Sequence, residues 1–299
     1  RLRELADMGL AVNLGQDEAF AALRSRADFA ALEQAFAANV GATSANGDET
    51  AWAITDMDGI IEGVATHPAT LETFFSDVRN RCIWRRDVSG ASATMKKFSA
   101  DFDGLLGVFA LKFDPAGRTL WASSAALPEM IGYTPADQGR ALLAEYDLAT
   151  RQLRKIHALP ADGRAHVLGD FTFGPDGAIY VTDSTAPVIW RLRPGGAALE
   201  KWLESDDFIS LQGIAVNPDG RSLYVADYAN GLWRVALDTG RHELLRAPAR
   251  ATFFGLDGLY AAPGALIAVQ NGVNPQRVLR IALDAGGRPS GVQVLRVGH

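Results

Sequence analysis

From about residue 61 onward, apolar and polar positions alternate in short bursts broken by turn residues, and one arrangement of those bursts recurs. Five stretches align: 61–68 (IEGVATHP), 108–115 (VFALKFDP), 168–175 (LGDFTFGP), 211–218 (LQGIAVNP) and 256–263 (LDGLYAAP), their prolines 47, 60, 43 and 45 residues apart. In three of them Asp-Pro-Ala-Gly, Gly-Pro-Asp-Gly or Asn-Pro-Asp-Gly follows, which is the chemistry of a hairpin turn. A second strand is predicted next, at 119–123, 178–182, 222–226 and 265–269. A third carries Tyr146, Trp190, Trp233 or Leu279, and a fourth is amphipathic, as at 199–203 and 242–246.

Four strands in a unit of about 45 residues is the period of a propeller blade. Each innermost strand is apolar on both faces, so neighbouring blades must cover it, and radial closure does this while leaving only short edges exposed. Residues 50–55 (TAWAIT) read as one more strand, standing just ahead of the first unit. The expectation is therefore a six-bladed, all-β propeller whose last blade is incomplete here, its inner strands falling after His299. A closed five-bladed ring is the alternative.

Residues 1–40 have helical spacing instead. Phe20, Leu23, Phe29, Leu32 and Phe36 mark apolar faces, and Asp17 and Asp28 stand at helix starts. Residues 38–48 have the composition of a linker. The predicted organisation is a helical segment with linker at 1–45 and a propeller at 46–299. The pattern over 17–32 resembles the degenerate last repeat of a tetratricopeptide-type array, which would offer a protein partner a surface; a helical hairpin capping the propeller is the other reading.

Apolar residues make up 48% of the chain and charged residues 21%, as in ordinary globular proteins. No apolar run approaches the roughly 18 residues that span a bilayer. A net charge of -6 argues against a nucleic-acid surface, which needs clustered Lys and Arg, and suits a neutral or cationic small ligand. The single cysteine, Cys82, reads as a small buried hydrophobe. The sequence opens at Arg1, inside a helical pattern, so an upstream segment, including a signal peptide, is expected to be missing, and the compartment stays open: a soluble protein, periplasmic or secreted if such a leader exists.

In an antiparallel blade the start of the first strand and the end of the second share one edge, and those edges line a common mouth. Glu62, Phe109, Gly169 with Asp170, Gln212 and Asp257 fall at strand starts; Ser123, Ser124, Asp183, Asp227 and Asn271 at second-strand ends. Oxygen-bearing side chains converging there suit a hard cation such as Ca²⁺. Asp183 and Asp227 also read as caps that bond loop amides. The five histidines are dispersed without metal-ligand spacing and read as surface or hydrogen-bonded structural residues.

The Glu-Gly strand start followed by Asp-Pro-Asp-Gly-type repeats resembles the senescence marker protein and gluconolactonase family over residues 50–299. That resemblance implies a six-bladed propeller and a metal held by glutamate, asparagine and aspartate, the aspartate acting as base in opening a sugar lactone. Glu62 matches the glutamate, in its Glu-Gly context. Gly169 stands where the asparagine belongs and Gln212 where the aspartate belongs. Glycine brings no side-chain oxygen, and a neutral glutamine is no base.

Two readings follow. In one, Glu62 and Asp257 hold a divalent cation, Asp170 or Asp227 is the catalytic base, and Phe109, Gln212, Met130 and Tyr133 bind a lactone or ester. Met130, Ile131 and Tyr133 belong to an insertion at 125–140 that would form an apolar lid over the mouth. In the other, the catalytic metal is lost and the propeller binds a small molecule or a protein.

Overall fold

A computed structural model describes residues 1–41, 53–54, 57–87 and 94–298. The described strands make five antiparallel sheets of four strands each, the blades of an all-β propeller. Blade one is β1 (Ile61–Thr66), β2 (Thr73–Asp77), β3 (Cys82–Asp87) and β4 (Thr94–Lys97). Blade two is β5 (Gly107–Phe113), β6 (Thr119–Ala125), β7 (Ala141–Asp147) and β8 (Gln152–Ala158). Blade three is β9 (Leu168–Phe173), β10 (Ile179–Asp183), β11 (Val188–Leu192) and β12 (Glu200–Glu204). Blade four is β13 (Leu211–Val216), β14 (Ser222–Asp227), β15 (Gly231–Ala236) and β16 (His242–Leu245). Blade five is β17 (Leu256–Ala262), β18 (Ala265–Gln270), β19 (Arg277–Leu283) and β20 (Pro289–Val297).

This corrects the expected six blades with an incomplete last one. Five blades are present, each takes its four strands from one continuous stretch of chain, and the fifth is complete in β17–β20. Of the extra strand expected at 50–55, Ala53 and Ile54 are described and lie in no strand; the other positions fall outside the described residues, as does the expected boundary at 45/46. The physical reason is that β17–β20, drawn from one continuous stretch, complete the fifth blade by themselves, so no strand from the N-terminal side is needed to fill it.

The chain divides into two compact units, residues 50–216 and residues 1–49 with 217–299. In the first, the second strands β6 and β10 are buried along their whole length, whereas the innermost strands β1, β5 and β9, expected to be apolar on both faces and covered, are only partly buried. Phe74, Ile83, Leu106, Val108, Leu120 and Tyr146 pack between blades one and two. Trp121, Leu143, Leu168, Phe171, Val181 and Trp190 do so between blades two and three. Each such apolar side chain, fully buried, contributes on the order of 1.5–3 kcal/mol. Cys82 is wholly buried, and burial, helped by the Asp77 carboxylate, pushes its thiol up to about 12, the state of an inert core residue.

In the second unit β14 is buried throughout, and the Tyr224 hydroxyl donates to the Gly287 carbonyl in the β19–β20 turn at 2.7 Å. The N-terminal segment comprises α1 (Leu2–Asp7), a 3-10 turn (Glu18–Leu23) and α2 (Ala27–Val40). Asp17 caps the 3-10 turn through the Ala19 amide; Asp28 lies in the first turn of α2 and pairs with Arg26. Ala6, Leu14, Phe29, Leu32 and Phe36 form a small core of their own. That core is tied to blade five: the Arg277 guanidinium, 5% exposed, donates to the Met8 carbonyl and to Gln270 Oε1, both at 2.7 Å, and the Ala11 amide donates to the Asn274 carbonyl at 2.6 Å. No described helix is long and apolar enough to cross a membrane.

Candidate functional site at the mouth edge

In blades one, two, three and five the inner strand is bulged at its start, two of its residues facing one on the next strand. The extra residue kinks the strand and re-aims a side chain, a device common beside functional sites. The bulges hold Glu62 with Gly63, Phe109 with Ala110, Gly169 with Asp170, and Asp257 with Gly258. Four of the expected site residues, Glu62, Phe109, Asp170 and Asp257, thus sit on equivalent, deliberately irregular backbone.

Opposite the first three bulges stands a hydroxyl. Ser76, Ser123 and Thr182 accept the amide of the second bulge residue, Gly63, Ala110 and Asp170, at 2.6, 3.0 and 3.2 Å. Each then donates to the backbone of the following blade: Ser76 to the Phe109 carbonyl, Ser123 to Gly169 at 3.4 Å and Thr182 to Gln212 at 2.5 Å. The amide a bulge would orphan is satisfied and adjacent inner strands are laced together. The approach is close enough that a Cβ at Gly63 would overlap the Phe109 carbonyl oxygen.

Asp170 is fully engaged. Its carboxylate pairs with Lys112 Nζ at 2.8 Å and accepts the amides of Phe171 at 2.8 Å and Ile214 at 3.1 Å, so that β5, β9 and β13 meet on one ion pair. Lys112 also reaches the Ile214 carbonyl at 3.4 Å and lies over the Phe171 ring, 5.6 Å from its centre. Gln212 accepts from the Ser184 hydroxyl and donates to that of Ser210. A Cβ on Gly169 would lie 3.6 Å from Gln212 Oε1, so the two positions that depart from the family pattern are neighbours.

Asp183 and Asp227 end β10 and β14 as caps. Asp183, wholly buried, accepts the amides of Val167, Thr185 and Ala186, the indole N–H of Trp190 at 3.1 Å, and His166 Nδ1 at 2.6 Å. Asp227 accepts the amides of Ala229 and Asn230, the Asn230 side chain and the Trp233 indole at 3.2 Å. Asp77 binds the Trp84 indole in the same way at 2.9 Å. The signal was in the sequence: an aspartate six or seven residues before a tryptophan, three times over. His166 also contacts Asp162 at 2.8 Å, and that hydrogen bond, with the Arg164 amide and side chain, holds the Asp162 carboxyl well below the usual carboxylate range.

Blade five differs. Val269 opposes its bulge where a hydroxyl stands in the first three blades, and Gln270, wholly buried, ends β18. Asn271 Nδ2 donates to the Asp257 carboxylate, while Asn271 Oδ1 is buried without a hydrogen-bond partner. An orphaned amide oxygen beside a carboxylate has the donor chemistry of a hard-cation site. Among the described residues no group of three His, Cys, Asp or Glu gathers into a metal-binding cluster.

The insertion between β6 and β7 folds back on its own unit. Met130 is 3% exposed within the core between blades one and two, Tyr133 packs against that core, and Ile131 points outward, 56% exposed. The Ile131 amide donates to the Arg79 carbonyl at 2.9 Å.

Inner strands of this five-bladed propeller thus carry acidic or amide side chains near their starts, four of the five strands being bulged there. The chain belongs to the family described as the SMP-30/Gluconolactonase/LRE-like region, whose profile matches residues 60–251. Comparison with curated protein sequences gives no match. Similar solved structures include virginiamycin B lyase from Staphylococcus aureus, 15% identical, TM-score 0.55, over 81% of this chain and 71% of that one. The PQQ-bound aldose sugar dehydrogenase from Streptomyces coelicolor is 16% identical, TM-score 0.55, over 85% and 86%. A nidogen/laminin complex is 15% identical, TM-score 0.58, over 80% and 83%. At these identities the likeness is one of fold, and it extends to enzymes and to a protein assembly alike.

Proposed function

We propose that the protein is a gluconolactonase-like propeller that binds a divalent cation through Asp257 and Asn271 Oδ1 and opens a lactone or related ester. The observation that supports this is the buried, partnerless Asn271 oxygen beside the Asp257 carboxylate. A Ca²⁺ ion there would polarise a carbonyl oxygen. Within the unit of residues 50–216, Phe109 on the blade-two bulge and Gln212 near the start of β13 offer a small ligand one apolar and one amide contact. Glu62, the one residue that matches the family glutamate, lies in the other compact unit and is tested separately.

A second reading, binding without turnover, is favoured by the two carboxylates expected as base. Asp170 would have to release Lys112 to take up a proton, and Asp227 its indole and amide donors. In this reading the ligand is a small molecule, and the helical segment, with Leu23 and Val40 exposed, serves a protein partner.

Metal analysis of the purified protein and of Asp257→Ala, Asn271→Ala and Glu62→Ala, with a lactone hydrolysis screen, separates the two. Stoichiometric Ca²⁺ lost in Asp257→Ala, with turnover, supports the hydrolase. Ca²⁺ without turnover selects the binding reading. No Ca²⁺ and no turnover overturns the first.

A further inference from the structure

At the opposite end of the blades from the mouth edge, a cavity of about 890 Å³ opens between blades two and three. The β5–β6 and β9–β10 hairpins and the β7–β8 and β11–β12 turns line it, all within residues 114–196. Its wall is aromatic: Trp121 stacks on His157, ring centres 5.5 Å apart and planes at 21°, and meets Phe173 edge-on at 6.3 Å. His157 is 3% exposed, and neither ring nitrogen makes a hydrogen bond of good geometry among the described residues, the Ala197 backbone acting on it only weakly. The other buried imidazole, His166, has both nitrogens bonded to carboxylates, so His157 departs from the rule that buried polar groups are satisfied. Burial, reinforced by Lys155, holds it below the ordinary imidazole value and hence neutral near pH 7.

The charges around this cavity are unevenly used. Its three carboxylates are spent within the protein: Asp114 on the amides of Ala116, Arg118 and Thr119, and Glu145 and Asp147 on Arg154. Arg193 shares Glu200 with Arg191. The Arg118 guanidinium has no carboxylate partner among the described residues, and Lys155 bonds only the Gly196 carbonyl. Two uncompensated cations, an aromatic wall and an unmet imidazole share one cavity.

We propose that this cavity is a binding site for a small aromatic carboxylate, its ring against Trp121 and Phe173, its carboxylate held by Arg118 and Lys155, and a His157 ring N–H turned to it. The guanidinium and ammonium give charge-assisted hydrogen bonds, the indole gives a flat apolar contact, and the ligand supplies an acceptor of better geometry than His157 finds in the chain. The site is independent of the mouth edge and of any cation or hydrolysis there.

The test uses the full chain with benzoate and its uncharged isostere benzamide as probes. In protein carrying ¹³C-labelled histidine, the His157 signal is assigned by its absence from His157→Phe, and both probes are titrated. The expected result is a saturable shift of that signal with benzoate and binding at least tenfold weaker for benzamide. Arg118→Ala and Lys155→Ala, both exposed positions that leave the fold intact, each weaken benzoate by about tenfold, the loss of one charge-assisted contact. A His157 signal that does not move with benzoate, equal response to both probes, or unchanged benzoate binding in the Arg118→Ala, Lys155→Ala double variant would each overturn the proposal.

Discussion

Asp183 in blade three and Asp257 in blade five are both acidic side chains at the mouth edge, yet their surroundings differ in kind. Asp183 is buried and accepts from three amides, an indole and an imidazole; its oxygens are used up in holding a β-turn to two strands. Asp257 lies on a bulge beside an amide oxygen that has no hydrogen-bond partner among the described residues. A carboxylate surrounded by donors is a structural bolt, and one beside an unmet oxygen is a place for a ligand. The same contrast divides the bulges: hydroxyls lace the first three blades together, and Val269 leaves the fifth without that bond.

The contrast can be broken from the Asp183 side first. Asp183→Ala strands the His166 imidazole, the Trp190 indole and three amides, and should cost about 3–5 kcal/mol by urea unfolding, while Asp257→Ala stays within about 1 kcal/mol of the parent. Equal losses at the two sites would erase the distinction. Replacing Lys112 with Met leaves Asp170 without its ammonium and should cost about 2–3 kcal/mol by the same measurement, since both partners are mostly buried. Trp190→Phe keeps the packing but removes one donor to Asp183, and about 1–1.5 kcal/mol is expected.

Acid titration sharpens the picture further. The folded Asp162 carboxyl is depressed by its bond to His166, so its contribution is present above the unfolded value near 4 and is lost as pH falls through the folded one. Stability should therefore decline below about pH 4, and Asp162→Asn should flatten that decline in thermal melts. The change most telling for function is Gly169→Asn with Gln212→Asp, which restores the family's oxygen donors at neighbouring positions and requires the Ser184 hydroxyl, which a Cβ at 169 would overlap, to turn aside. Calorimetry on the Asp257→Ala background should then show Ca²⁺ binding that Asp257→Ala alone lacks; no gain would mean that the oxygens at 169 and 212 do not by themselves make a cation site.

Much of the blade was legible in the chain. The repeat, the turn residues and the apolar second strands are local, and β6, β10, β14 and β18 appear where alternation placed them. The blade number was not: a strand-like stretch at 50–55 suggested a further blade, and only the sheets show that β17–β20 complete the fifth. The burial of Met130 was equally hidden: in sequence it is one apolar residue of a long insertion, and only the fold decides that it turns into the core. Lys112 carried a signal, a cation inside an otherwise apolar inner strand, but not the identity of its partner 58 residues on, Asp170.

What the sequence determined by itself was the unit, since strand alternation, hairpin turns and apolar runs depend on residues near one another. What tertiary structure decided was which polar side chains are spent and which are left over. Hydrogen-bond partners come from distant strands, and so Asp183, Asp227 and Asp170 became fixtures while Asn271 and His157 kept unsatisfied atoms.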